Sequence, residues 1–68
     1  PAVYNAANEI AVEGFARGLL PFPGIWQTVR KVIEKYPHSS EQKDLNAIFE
    51  IDKWARQTAE AEIGTSFR

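Results

Sequence analysis

Apolar residues recur at three-to-four spacing along the first quarter of the chain. Val3, Ala7, Ile10, Ala11 and Phe15 share one side of a helix spanning Ala2 to Arg17, and Gly18 follows where a left-handed cap is expected. Pro1 suits a first turn, while Asn5 and Asn8 compete as caps of a shorter version. The small residues Ala6, Ala7, Ala11 and Gly14 leave room for a neighbouring backbone. Next comes Leu-Leu-Pro-Phe-Pro-Gly, Leu19 to Gly24, an elbow whose prolines forbid continuation of the helix while Leu20 and Phe22 still have apolar surface to bury. A second helix over residues 24–36 carries Ile25, Val29, Val32 and Tyr36 on one stripe with Trp26 and Ile33 beside it, and Pro37 ends it. After a polar stretch, Asp44 is placed to cap a third helix over residues 45–63, with Ser40 a competing start. There Leu45, Ile48, Asp52, Ala55 and Ala59 share one face, and Ile51, Trp54, Thr58 and Ala61 form a second strip; one of the two would pack on the first two helices and the other would be available to a partner. Residues 64–68 are expected to fray. Neither an internal repeat nor a strand-like alternation is present, so the expectation is all-α: a small three-helix bundle, one domain over residues 1–68.

Length sharpens that picture. Ordering 68 residues costs on the order of 100 kcal/mol at about 1.5 kcal/mol per residue, which a core this small barely offsets. Tight helix packing, self-association, or docking on a larger body from which this chain is cut are the expected sources of the remaining margin. The absence of Met and the start at Pro1 fit a fragment and initiator removal equally.

Composition mainly excludes. With 44% hydrophobic and 25% charged residues the chain is neither disordered nor low-complexity. Its net charge of -1 comes from interspersed signs without a basic stripe, which disfavours nucleic acid as a partner. Gly18 to Val29, the longest uncharged stretch, is broken by Pro21 and Pro23 and falls short of the roughly 20 residues that span a bilayer. Neither a signal peptide nor a transit peptide is recognisable. Without cysteine there is no disulfide and no thiolate metal site, which suits a reducing compartment and makes the cytoplasm the expected location.

Candidate chemistry is sparse. His38, the only histidine, falls in a loop with no second histidine or cysteine to complete a metal shell and reads as solvated. Glu9 and Glu13 are four apart, but the Glu-x-x-His partners of a di-iron bundle are missing. Asp52 and Arg56 have the spacing and order of a favourable i,i+4 ion pair and read as a structural clamp. Asn5 and Asn8 are unfavourable in a helix interior, so two on one turn imply either capping or a hydrogen-bonding role. Trp26 and Trp54 read as core or interface anchors. No phosphate loop, nucleophile elbow or catalytic triad is available, so the chain alone is not expected to be an enzyme.

The string Asn5-Ala6-Ala7-Asn8-Glu9, continuing through Ile10, Ala11, Val12 and Glu13 to Phe15, resembles the opening helix of the C-terminal domain in the 1-deoxy-D-xylulose 5-phosphate reductoisomerase family. Phe22 and Ile25 sit where that family shows a Phe-Thr-Asp-Ile turn, and Ile51 to Arg56 is similar to its Asp-x-x-Ala-Arg helix. Order and spacing agree over essentially the whole chain. Two departures stand out: Pro23 and Gly24 replace Thr-Asp, removing a side-chain cap, and Gly14 replaces a common Ala, weakening the helix by up to about 1 kcal/mol unless a close contact needs the space.

The resemblance implies a parent with an N-terminal NADPH-binding domain, a central catalytic domain holding a divalent metal (Mg or Mn), and this helical domain at its end. Such a parent rearranges and reduces 1-deoxy-D-xylulose 5-phosphate to 2-C-methyl-D-erythritol 4-phosphate, in the non-mevalonate route to isoprenoid precursors, in the bacterial cytoplasm or in a plastid for a plant or alga. It carries no catalytic, cofactor-binding or metal-binding residue onto this chain. The implied role is architectural, with Asn5, Asn8, Glu9, Asp52 and Arg56 as structural or domain-docking residues and the parent's catalytic domain as partner, self-association being a further option. A free-standing helical interaction module is the alternative from a different class. A stand-alone acid-base enzyme would instead need Glu9, Glu13 or Asp52 gathered in a pocket.

Overall fold

The computed structural model describes residues 1–37 and 45–67. They form three helices, α1 (Ala2–Ala16), α2 (Gly24–Lys35) and α3 (Leu45–Ser66), with no strand among the described residues. The chain is all-α, a small bundle in which α1 packs on both other helices more extensively than they pack on each other. The end of α3 reaches the elbow between α1 and α2, while Ile48 and Ile51 near its start lie beside Pro1 and Tyr4. So α3 runs parallel to α1, and α2 runs antiparallel to both.

Each boundary has a local cause. Helix α1 starts behind Pro1 without a side-chain cap, which places Asn5 and Asn8 inside the helix and removes capping as their explanation. At its other end Gly18 adopts φ +77°, the Leu19 N–H donates to the Gly14 carbonyl at 2.9 Å, and the Gly18 N–H donates to the Phe15 carbonyl at 3.0 Å. This pair of bonds is a Schellman cap, and glycine is there because a left-handed backbone costs it least. Pro23 precedes α2 in a helical conformation with no side-chain cap, so the first turn is held by backbone bonds alone, Gly24 N–H to the Pro21 carbonyl at 2.8 Å and Ile25 N–H to the Phe22 carbonyl at 3.1 Å. Tyr36, expected inside α2, is extended instead, because a residue ahead of proline is pushed out of the helical region. Helix α3 continues through Gly64 to Ser66 rather than fraying, since its last turn is tied down by the Ser66 hydroxyl on Glu62 and by Phe67 lying over Gly24. The expected cap Asp44, its competitor Ser40, and His38 lie outside the described residues.

The core is built from small side chains. Val3, Ala6, Ala7, Ala11, Val29, Val32, Ala55 and Ala59 are buried together, with Ile10, Ile25, Tyr36, Ile51 and Trp54 packed against them. Methyl-sized side chains let helix backbones approach closely, so the interior has little room for large groups. Several large residues expected to be covered are therefore outside. Phe22 is 65% exposed and Trp26 is 58% exposed, whereas Leu20 is buried at the elbow and Trp54 meets Tyr36 at 5.6 Å between ring centroids. On α3 the stripe beginning at Leu45 is buried only at Ala55 and Ala59. Leu45, Ile48 and Phe49 are exposed because this helix, at about 33 Å, overhangs its shorter neighbours. The second strip packs on the core at Ile51 and Trp54 and is exposed at Ala61. No described helix is long and apolar enough to cross a membrane.

One buried charge ties α2 to α3. The Glu62 carboxylate, 7% exposed, accepts hydrogen bonds from the Ser66 hydroxyl at 2.6 Å and from Lys35 Nζ at 3.1 Å, with Lys31 Nζ at 3.6 Å. The Ser66 bond is the main reason its pKa lies below the usual carboxylate value; Lys35 and Lys31 add to the lowering, and burial opposes it. A depressed carboxylate contributes stability above the unfolded-state pKa and loses it as pH falls through the folded value. The thermal midpoint should therefore fall as pH drops below 4.5, the ordinary value, and Glu62→Gln should show a shallower fall, measured by circular dichroism melts across pH. Enlarging a fully buried alanine has a second expected outcome: Ala7→Leu should destabilise by about 1–3 kcal/mol through overpacking, read from urea unfolding.

Candidate functional site

Helical spacing places Asn5, Asn8 and Glu9 on neighbouring positions of α1, one turn apart, and Asp52 and Arg56 one turn apart on α3. Because α1 and α3 pack side by side, the two sets meet. All five line one hollow of about 410 Å³ together with Ala6 and Val12. The Arg56 side chain is its keystone: Nε donates to Asp52 Oδ2 at 2.9 Å along α3, and Nη2 donates across the helix boundary to Glu9 Oε1. Acceptance first by Asp52 and then by Glu9 raises the already high pKa of the guanidinium, which is a permanent cation here. One cation between two carboxylates leaves the hollow with a single net negative charge.

Both carboxylates accept from the same guanidinium, which bridges α3 to α1. Asn5 is exposed and Asn8 half-buried at the rim, and each carboxamide offers two donors and two acceptor lone pairs. The chemistry available is therefore hydrogen bonding to something laid across α1. Glu13, considered with Glu9 as a carboxylate pair, lines a different hollow with Arg17 and Glu60. Among the described residues no three His, Cys, Asp or Glu side chains gather as a candidate metal site.

The sequence singled out the five residues on separate grounds, and the fold brings them together. The Glu9 to Arg56 bond went unnoticed because its partners are 47 residues apart and no local spacing marks such a pair. An apolar groove of about 640 Å³ at the other end of α3, lined by Pro1, Tyr4, Ile33, Tyr36 and Ile48 among others, was not foreseen either.

Comparison with known proteins places this arrangement. The family described as DXP reductoisomerase C-terminal domain matches residues 1–58. A protein of Pelotomaculum thermopropionicum named 1-deoxy-D-xylulose 5-phosphate reductoisomerase is 57% identical over 56 residues, covering 82% of this chain and 14% of that protein. Proteins of the same name from Streptomyces coelicolor and Thermomicrobium roseum are 44% and 40% identical, covering 90% and 100% of this chain and 17% and 18% of their own length. The chain thus spans about a seventh of the first relative. No solved structure matches it. The chain belongs to the DXP reductoisomerase C-terminal domain family.

Because Arg56 has two acceptors, either carboxylate backs up the other. Glu9→Gln and Asp52→Asn should each lower the melting midpoint slightly, and the double variant should lower it by more than the two shifts added together. Added salt should narrow the gap between parent and double variant, as expected of partly exposed charges.

Proposed function

We propose that this member of the DXP reductoisomerase C-terminal domain family is the terminal helical domain of a longer reductoisomerase, where it holds the catalytic part in position and does not itself react. The observation that carries this reading is the hollow between α1 and α3, in which Asn5 and Asn8 stand beside the Glu9, Arg56 and Asp52 ion pairs. The ion pairs tie α1 to α3 at Glu9, and the two carboxamides stand beside them, one turn apart on α1. Asn5, Asn8 and Glu9 meet the polar surface of the parent's catalytic domain, and Asp52 and Arg56 hold Glu9 in place. Single-domain organisation over residues 1–68 is part of this reading.

The rest of the reading concerns the parent. Its reaction is the rearrangement and NADPH-dependent reduction of 1-deoxy-D-xylulose 5-phosphate to 2-C-methyl-D-erythritol 4-phosphate, with Mg or Mn as the divalent ion, on the non-mevalonate route to isoprenoid precursors. NADPH and the metal are held by other parts of that protein. Its compartment is the bacterial cytoplasm, or a plastid in a plant or alga, and its partners include neither nucleic acid nor membrane.

A second reading rests on a different observation. Leu45 is 81% exposed and Phe49 is 69% exposed on the overhanging start of α3, a surface suited to self-association or to a free-standing interaction module.

The test is complementation. Truncate the reductoisomerase of Pelotomaculum thermopropionicum by the segment matched here and add this chain in trans. Binding, recovered turnover and a higher melting midpoint are expected, and Asn5→Ala with Asn8→Ala should weaken binding at least tenfold. Failure to bind or to restore either property would overturn the reading, and sedimentation of the chain alone as a dimer built on Leu45 and Phe49 would favour the second.

A further inference from the structure

Two glycines flank the elbow, and neither the backbone of Gly14 nor that of Gly24 requires glycine, since Gly18 is the sole glycine with positive φ among the described residues. Space is what they supply. A Cβ on Gly24, the first residue of α2, would lie 2.9 Å from Cζ and 3.1 Å from Cε1 of Phe67, and 3.1 Å from Cδ1 of Leu20. A Cβ on Gly14 in α1 would lie 2.8 Å from Cδ2 of Leu20 and 3.3 Å from Cδ1 of Ile63. These separations are shorter than carbon atoms adopt at ordinary contact. Leu20, buried in the elbow, therefore sits between two helices stripped of side chains to receive it, and Ile63 and Phe67 from the far end of α3 close over the same two positions.

The contacts from that end are spread over the whole hinge. Ile63 reaches α1 at Gly14, Phe67 reaches the first residue of α2, and Glu62 between them bridges to Lys31 and Lys35 further along α2. The elbow has no side-chain cap of its own at the start of α2. Glu62, Ile63 and Phe67 all lie beyond the segment that the family description matches.

We infer that residues 62–67 form a clasp that locks the elbow between α1 and α2, and that releasing the clasp opens the elbow while the α1–α3 packing stays closed. The clasp acts on the hinge because Ile63 and Phe67 meet Gly14 and Gly24 on either side of Leu20 and Glu62 reaches Lys31 and Lys35 on α2, whereas the alanines that join α1 to α3 are spaced along both helices. While it is engaged, the angle between α1 and α2 is set, and so is the outward presentation of Phe22 and Trp26. The edge-to-face contact of Phe22 with Phe15, at 5.7 Å between centroids, belongs to the same locked arrangement.

Hydrogen exchange on the full 68-residue chain tests this. In Phe67→Ala, the Gly24 and Ile25 amides, whose acceptors are Pro21 and Phe22 in the elbow, should exchange at least tenfold faster, with the amides of Ala7 and Ala11 changed less than twofold. Gly24→Ala should produce the same local acceleration in the parent and a clearly smaller one in the Phe67→Ala background, because the ring is gone while the Leu20 contact at 3.1 Å remains. Equal acceleration of elbow and α1 amides in Phe67→Ala, or none, would overturn the clasp, and so would a Gly24→Ala effect of the same size in both backgrounds. If Gly24→Ala does not fold, the Phe67→Ala comparison decides alone.

Discussion

Close approach of alanine faces is the constraint from which the rest of this bundle follows. Ala6, Ala7 and Ala11 on α1 and Ala55 and Ala59 on α3 are fully buried, so the helices meet over methyl groups and leave no interior volume for larger side chains. Such a core removes comparatively little apolar area from water, and at roughly 25 cal/mol per Å² its driving force is modest. The edges of the packing consequently carry interactions that a larger core would make unnecessary: Arg56 bridging to Glu9 at one seam, Glu62 bridging to Lys31 and Lys35 at another, and Phe67 covering Gly24 at the elbow.

The same constraint explains the surface. Phe22 and Trp26 are outside because close-packed methyls leave little room for them, and Leu45 and Phe49 lie on the overhanging start of α3. It also explains the two departures noted at Gly14 and Gly24. A helix-interior glycine costs about 1 kcal/mol relative to alanine, a cost offset where the missing methyl admits Leu20 and Ile63. Loss of the side-chain cap at α2 goes with admission of the Phe67 ring, so the backbone bonds from Gly24 and Ile25 hold a turn that tertiary contact then covers.

In the proposed reading, for a family member whose relatives are several times longer, this arrangement serves support: Glu9 and Asp52 are paired through Arg56, and Asn5 and Asn8 stand one turn apart beside them. The ion pairs crossing from α3 to α1 turn two separate helix faces into one surface, so a partner laid across it meets groups whose relative positions are already set.

What could be read directly from the chain was whatever acts within one or two helical turns. Periodic apolar positions marked the three helices, Gly18 and Pro37 marked two of their ends, and Asp52 with Arg56 marked an ion pair, because backbone sterics and i,i+4 geometry are settled by near neighbours. The string around Asn5, Asn8 and Glu9 also carried the family. Tertiary structure alone decided which apolar stripe would be covered, that Tyr36 and Trp54 would pair while Trp26 stayed outside, that Glu9 would reach Arg56 instead of acting with Glu13, and that α3 would run on through Gly64 to close over the elbow. Each of those outcomes depends on how helices cross and on how far one overhangs another. These are properties of the packed assembly that no short window of residues contains.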